Sequence, residues 1–541
     1  MNGLFNIANV LELAVDHYRD RDYLVCDGQR RTYGQMEDRA NQLAHHLQSQ
    51  GLGHGDHIGI YGLDSIEWVE TMWASLKIRA IYANINYRYV ADELAYIFDN
   101  ADLKALVVQR KFLPLVNEVK HTLPKLEYIL VIEDGTDPST ADVQFEYTSF
   151  ESAIEGQSTA RDFPPRSELD HWMVYTGGTT GMPKGVVWEH KNWMYSLGGA
   201  VVQMTHEVVE HPQEIIERGK DGGMTVFSIA PLMHGATQVS CLSRAFEGDK
   251  IVIMGQFDPN EVWRMVEEEK VNSLFIIGDA MARPMIEALE AKKGQIDTSS
   301  IFLLSSSGAV FSPAVKDLYF EHFPELLMID SVGASEVGGN GMSFVKAGET
   351  QMSGGGPTFK PGPGTVVIDE ETMTLCQPGD GKVGKVARSG YIPLEYYNDP
   401  VKSAATFITL ADGVRYSIPG DFAQIEADGC VTLLGRGSVS INSGGEKIFP
   451  EEVESAAKAH SAIFDCVVVG VPDEKWGSRV ALVAMTRGAD KPDLAAIQAH
   501  CRTKIAGYKI PRELHYVDAI PRSPAGKPNY AWAKSVAMGT A

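Results

Sequence analysis

Short β-rich runs alternate along this chain with segments that carry apolar residues at helical spacing. "HIGIYG", 57–62, reads as a strand, "SIEWVETMWASLKI" as an amphipathic helix, and "AIYANI" as a strand again. "ALVVQ" and "YILVIED" are further β-rich runs. "DPNEVWRMVEEEKV" opens like a helix: Asp258 can cap, Pro259 fits the first turn, and Glu261 completes a capping box. "SLFIIGD" and "IFLLSSSGA" are apolar strands that end in small polar residues. Alternation of this kind predicts an α/β fold with largely parallel sheets. Ligands then belong in loops outside the carboxyl ends of the strands.

The texture changes from Gly354 to Gly384. "GGGPTFKPGPG" and "CQPGDGKVG" are rich in Gly and Pro and predict a small β-rich subdomain with tight turns. After "LLGRGS" the mixed pattern returns. "PEEVESAAKAH" is a helix with Pro450 at its start. "DCVVVGVPDEKWGSRVALVAM" is two strands joined by a turn, and "DLAAIQAHCRTKI" is a helix. At 541 residues the chain is too long for one ordinary core. The stretch after "LLGRGS", about one hundred residues with helices and strands of its own, is enough for a small separate domain.

Charge and cysteines exclude several classes. A net charge of −23 argues against a nucleic-acid surface and a polybasic membrane patch. It leaves room for a local anion site. Six scattered cysteines without a CxxC pair argue against a disulfide frame or a zinc site and fit the reducing cytoplasm. The N-terminus, "MNGLFNIANVLELAVDHYRD", reads as an amphipathic helix and not as a signal peptide. No apolar run is long enough to predict a spanning helix, and peripheral membrane contact stays open.

Between two apolar edges lies "VYTGGTTGMPKGVVW". It is no Walker loop, because Pro183 and not glycine precedes Lys184, and it does not fit GxGxxG. It has the parts of a phosphate cradle all the same. Gly177, Gly178 and Gly181 let backbone N–H groups approach an anion; Thr176, Thr179 and Thr180 offer hydroxyls; Lys184 offers a charge. "YTGGTTGMPKG" resembles the phosphate loop of the acyl-adenylate-forming superfamily: acyl-CoA synthetases, luciferases and the adenylation domains of peptide synthetases.

Six other stretches fit that resemblance in order. "SIAPLMHGATQ" resembles the border of the acyl pocket, with His234 near the reacting carboxylate, Gly235 beside it and Asp279 assigned to the same pocket. "SSSGAVFSP" resembles the loop under adenine, at Ser307, Gly308 and Ala309. "DSVGASEVGG" resembles the family's YGxTE stretch and brings Asp330, Ser331, Val332, Gly333 and Ser335 to the nucleotide. Its Glu336 would hold Mg²⁺ against the phosphates. "RYSIPGDFA" carries Asp421 for the ribose hydroxyls. "LLGRGSVSINSGGEKIFPEEVE" resembles the hinge, with Arg436 beside the nucleotide and Ser438 as pivot. Its Gly444, Gly445, Glu446 and Lys447 would meet CoA. "PRSPAGKPNY" resembles the loop that delivers the adenylation lysine, Lys527. Taken alone, Asp421, Arg436 and Lys527 read as solvated charges and His234 as a packing residue; the ordered set carries the assignment. Val332 stands where the family has a tyrosine stacked on adenine, Ser335 replaces threonine, and Ser438 replaces Asp or Lys.

The resemblance implies an adenylate-forming N-terminal domain, 1–437, with two α/β subdomains plus the small β-rich one, and a small mobile α+β C-terminal domain, 438–541; ATP, Mg²⁺ and coenzyme A are its implied small-molecule partners. A carboxylic acid would become an acyl-adenylate with release of pyrophosphate, then a CoA thioester. "GDAMARPM", "MPKGVVW" and "ANINYRYVADELAYIFDNAD" resemble the bacterial branch that contains long-chain and steroid side-chain acyl-CoA ligases. A homodimer is expected from the family. The alternatives are an acyl-AMP ligase that loads a carrier protein and a non-catalytic nucleotide or acyl binder on the same fold. The chain ends soon after Lys527, with no carrier domain, which favours free CoA.

Overall fold

The computed structural model describes residues 3–138, 143–176, 182–202, 205–292, 294–349, 357–436, 439–443, 446–473, 477–522 and 528–540. The chain forms two compact units. One comprises Met1–Ile276, Ala288–Leu303 and Tyr391–Phe407, and the other Ile277–Glu287, Leu304–Gly390 and Ile408–Ala541.

The first unit is α/β, as the alternation requires. Strands Ile81–Ile85, His57–Tyr61, Leu103–Gln109, Tyr128–Ile132 and Thr148–Ser149 form an all-parallel sheet in that order. Every residue of His57–Tyr61 and Ile81–Ile85 is buried, which marks strands covered on both faces. A second set runs Gln29–Thr32, Asp22–Cys26, Lys250–Ile253, Thr225–Ser228, Ser273–Ile276 and is parallel except for its first hairpin. Strands Glu395–Tyr396, Lys184–Glu189 and His171–Thr176 make a small antiparallel sheet.

The helices start where their caps say. Asn6 caps Ile7–Tyr18, the predicted amphipathic helix, by accepting from the Ala8 and Asn9 N–H groups, and Val10, Leu11, Ala14 and Val15 go into the core. Ser65 caps Ile66–Lys77, which buries Trp68 and Trp73. Asp258 caps Pro259–Glu269 as expected. Glu261 does not complete the box: its carboxylate accepts from the Arg264 guanidinium at 2.7 Å, because a nearby cation outcompetes one more backbone donor. Among the described residues, no helix is long and apolar enough to cross a membrane.

In the second unit the strands Leu327–Ala334, Gly338–Val345, Thr358–Pro361, Val431–Arg436, Asp421–Ile425, Val383–Ser389 and Arg415–Ser417 join in that order, antiparallel throughout. The β-rich texture seen at Gly354–Gly384 is thus one part of a wider antiparallel region. The C-terminal stretch adds its own sheet. Ile463–Asp473 pairs antiparallel with Gly477–Thr486, which pairs parallel with Glu513–Tyr516. Side chains of its first strand alternate between two cores. Cys466 and Val468 meet helices Pro450–Lys458 and Leu494–Arg502, whereas Val467 and Val469 meet Tyr530–Ala537. All six cysteines are free thiols.

Candidate active site

The glycine-rich loop hangs between two strands whose register brings its ends together. Trp172↔Trp188 and Val174↔Val186 are buried partners, and the same ladder sets Thr176 opposite Lys184. A slip by one residue would expose the tryptophans, so the buried face fixes the pairing. Gly177, Gly178, Thr179, Thr180 and Gly181 lie outside the described residues. Thr176 and Lys184 are both half-buried. The Lys184 ammonium lies 3.0 Å from the Asp399 carboxylate and 5.3 Å from the centre of the Tyr396 ring. Asp399 also caps Pro400–Thr406, and the Lys402 N–H bond first, with Lys184, keeps its carboxyl below the usual range. Both partners are about one-third exposed, so the bridge contributes at most about 1 kcal/mol. The ammonium can exchange it for an incoming anion.

His234 occupies the N-cap position of Gly235–Phe246, though its ring does not cap the helix. A Cβ on Gly235 would meet Val174 Cγ2 at 2.9 Å, so glycine permits the close approach of this helix start to the strand that ends in Thr176. Buried Asn84 ties the two together. Its amide donates to the Tyr175 carbonyl at 3.0 Å and the Met233 carbonyl at 2.6 Å, and its carbonyl accepts from the Tyr175 N–H at 2.8 Å. Asn84→Ala strands three buried backbone groups. Urea titration should show a loss of about 2 kcal/mol, within the range for unsatisfied buried polar groups.

In the second unit, Asp279 lies in the first turn of Gly278–Ala291, and its carboxylate accepts from the Ser312 N–H at 2.8 Å. That bond holds the segment after Ser307, Gly308 and Ala309. Gly278 packs against the same segment, where a Cβ would come within 2.4 Å of the Val310 carbonyl. Ser307 ends its strand and Gly308 follows at φ +77°. Asp330, Ser331, Val332 and Gly333 run along Leu327–Ala334. Asp330 is ion-paired to Lys316, yet burial outweighs that charge and raises its pKa. Val332 packs against the core formed by Phe359, Val367, Val386, Ala423 and Val431.

Ser335 and Glu336 follow in the turn to Gly338–Val345, both half-buried. The Glu336 carbonyl accepts from Ser417 Oγ at 2.5 Å. Asp421 and Arg436, assigned to one nucleotide from successive motifs, are Cα partners across one hairpin. "NSGGEK" is the end of a hairpin, with Asn442↔Lys447 and Ser443↔Glu446 paired and Gly444 and Gly445 outside the described residues. Ser438 and Lys527 also lie outside them. Flanking Lys527, Arg522 and Pro528 form a backbone bridge, and Arg522 makes a two-pronged ion pair with Asp465 at 2.7 and 2.8 Å.

These placements meet the comparisons with known proteins. The family model for the AMP-binding enzyme matches residues 11–397, and that for the AMP-binding enzyme C-terminal domain matches residues 452–527. The chain belongs to the AMP-binding enzyme family. It is 47% identical over 534 residues to a 3-oxocholest-4-en-26-oate–CoA ligase of Rhodococcus rhodochrous, spanning 98% of this chain and 95% of that one. It is 46% identical over 535 residues to a medium/long-chain-fatty-acid–CoA/3-oxocholest-4-en-26-oate–CoA ligase of Mycolicibacterium smegmatis, spanning 98% and 96%. The fold matches a crystal structure of the anthranilate–CoA ligase AuaEII with anthranoyl-AMP at a TM-score of 0.83 and 24% identity, over 100% and 99% of the chains. As an AMP-binding acid–CoA ligase, the chain uses ATP and CoA to convert a carboxylic acid to an acyl-adenylate and then to a thioester.

Sequence reasoning missed Asn84, Asp399, Ser417 and Arg388, which donates to the Val337 carbonyl at 3.0 Å. Asn84 lies in "AIYANI" and Ser417 in "RYSIPGDFA"; Asn84, a polar residue within an apolar strand, is a usable signal, whereas Ser417 holds a motif some eighty positions away. Asp399 and Arg388 also act on distant motifs and leave no local pattern.

Proposed function

We propose that this AMP-binding enzyme activates a large apolar carboxylic acid, foremost a steroid side-chain acid, with medium- and long-chain fatty acids as the second class. The observation that carries the substrate reading is the 46–47% identity, over nearly the whole chain, to ligases named for those acids. In the first reaction the acid's carboxylate attacks the α-phosphorus of ATP and pyrophosphate leaves. Both reactants are anions, so the residues around them must offset charge. Lys184, the N–H groups of residues 177–181 and Lys527 would do so. Asp421 would accept from the ribose hydroxyls. Ser307, Gly308 and Ala309 would pack against the base; the Val332 side chain packs into the β-rich core instead.

Glu336 would hold Mg²⁺. The donor suits the ion: a half-buried carboxylate in a turn pinned through its own carbonyl, which is the hard oxygen chemistry that Mg²⁺ takes. When bound, the ion would neutralise phosphate charge. For the second reaction we propose that a C-terminal domain, 438–541, rotates about Ser438. Lys527 would withdraw, and the hairpin bearing Gly444, Gly445, Glu446 and Lys447 would face the pantetheine. His234, Gly235 and Asp279 would border the acyl group. The free thiols suit a reducing compartment, and the cytoplasm is the one proposed.

The test is pyrophosphate release with ATP and Mg²⁺, with and without CoA, across a fatty-acid length series and a set of steroid side-chain acids. CoA-dependent turnover on the steroid acids, with the fatty acids slower, is the expected result. Turnover on fatty acids alone would overturn the steroid assignment. An adenylate that never passes its acyl group to CoA would favour a carrier-protein acceptor.

A further inference from the structure

Glu336 lies in a turn that has little stiffness of its own. Gly333, Gly338, Gly339 and Gly341 surround it, and Gly338 sits at φ +71°. Such a backbone is permissive, and beyond its own turn bond, from the Val337 N–H to the Ala334 carbonyl at 3.0 Å, it depends on side-chain holds. Two side chains on adjacent strands supply them. Ser417 Oγ–H donates to the Glu336 carbonyl at 2.5 Å. Arg388 Nη1 donates to the Val337 carbonyl at 3.0 Å and also to the Gly339 carbonyl. Arg388 and Ser417 are Cα partners in the antiparallel ladder, so both holds come from one place in the sheet.

Arg388 is an unusual choice for a structural pin. It is only 6% exposed, and no carboxylate pairs with it among the described residues. Its Nε has no hydrogen-bond partner there either. Burial pushes its pKa down to about 10, which leaves it cationic at neutral pH. A buried cation without a counter-charge is costly, and an apolar side chain of similar length would pack there more cheaply. What an apolar side chain could not do is hold the carbonyls of two residues, Val337 and Gly339, at once. A planar guanidinium with donors in fixed directions does that.

We propose that Arg388 and Ser417 are positioning residues for acyl-adenylate formation, fixing the turn so that the Glu336 carboxylate keeps one direction. The inference rests on the assignment of Glu336 to the ATP phosphates and their metal ion. Groups that orient a ligating side chain are typically worth about 10- to 100-fold in activity.

Arg388→Met, Ser417→Ala, Glu336→Gln and the Arg388→Met/Glu336→Gln double variant provide the test. Arg388→Met should lower kcat for pyrophosphate release about 10- to 100-fold with little change in the KM for the acid. Arg388→Lys should restore little of it. Thioester formation from preformed acyl-adenylate and CoA should stay at the wild-type rate. Amide hydrogen exchange in the ligand-free protein should quicken at residues 335–341 and stay unchanged in the C-terminal sheet. The double variant should be no slower than Glu336→Gln alone. Losses that add in full, equal losses in both half-reactions, or unchanged exchange at 335–341 would overturn the proposal. If Arg388→Met does not fold, Ser417→Ala, with Ser417→Thr as rescue, carries the same measurements. A Glu336→Gln enzyme that adenylates at the wild-type rate sinks the Glu336 assignment itself. A slow Glu336→Gln enzyme with additive Arg388→Met sinks the positioning role alone.

Discussion

Lys527→Ala should slow acyl-adenylate formation about 100- to 1,000-fold, the range for loss of one donor aimed at developing oxyanion charge. Thioester formation from preformed acyl-adenylate should continue near the wild-type rate. The split follows from the chemistry of the two steps. In the first, a carboxylate approaches a polyphosphate, and negative charge gathers on the α-phosphoryl oxygens and the departing pyrophosphate. The Lys527 ammonium would offset that charge at the moment it peaks. In the second, a thiol attacks a mixed anhydride whose leaving group is AMP, and the pyrophosphate has gone. The flanks of Lys527 fit a residue delivered by a rigid base: Arg522 and Pro528 pair through their backbones, the Asn529 N–H reaches the Pro521 carbonyl, and Arg522 is locked to Asp465. Isotope exchange between pyrophosphate and ATP reads the first step, and single turnover of isolated acyl-adenylate reads the second. Equal loss in both would mean that Lys527 serves the fold or the second step and not adenylation.

Much of this was legible in the sequence because it is local. Strand runs such as "HIGIY" and "IYANI" carry their own period and length, and Ser65, Asp258 and Pro450 mark helix starts by residue type. The candidate phosphate loop stands out for the same reason: its glycines, hydroxyls and lysine are neighbours in the chain. The pairings that join motifs were not. Asp421 opposite Arg436 depends on an irregularity between Phe422 and Ala423 that shifts the register of their hairpin and leaves no local pattern. Arg388 reads in the sequence as one more surface charge, and only the carbonyls of Val337 and Gly339, some fifty positions away, explain its burial. The extent of the β-rich region was underestimated for a related reason. Gly and Pro mark its tightest turns, whereas its longer strands, such as Leu327–Ala334 and Val383–Ser389, look like any other strand.

Lys77→Met should cost about 3 to 5 kcal/mol of stability, the usual result of removing one partner from a buried ion pair. Lys77 ends the helix Ile66–Lys77 and is 1% exposed, although a lysine in a sequence reads as solvated. Its ammonium lies 2.9 Å from Glu12 on the helix Ile7–Tyr18 and 2.8 Å from Glu37 on the helix Tyr33–Ser49. Arg166 braces Glu12 from the other side at 2.8 Å, and Arg161 braces Glu37 at 2.6 Å. The ammonium therefore closes a network that joins three helices, with its cation at a helix C-terminus where the macrodipole favours it. Methionine fills the space but leaves Glu37, also 1% exposed, with Arg161 as its remaining cation. Adding Glu37→Gln to Lys77→Met should recover part of the loss, because the uncompensated charge is then gone. The network also sets the acid limb. Burial raises the Glu12 pKa, but Lys77 and Arg166 outweigh it and hold it down at about 2. A depressed carboxyl stabilises the fold above its unfolded value of 4.5, and that contribution drains away as pH falls from there toward 2. In Lys77→Met the depression shrinks, so urea titrations at a series of pH values should place the acid loss of stability at higher pH than in the wild type. A Lys77→Met protein as stable as the wild type at pH 7, with an unmoved acid limb, would mean that the two arginines already satisfy both carboxylates and that the ammonium adds nothing beyond its stem.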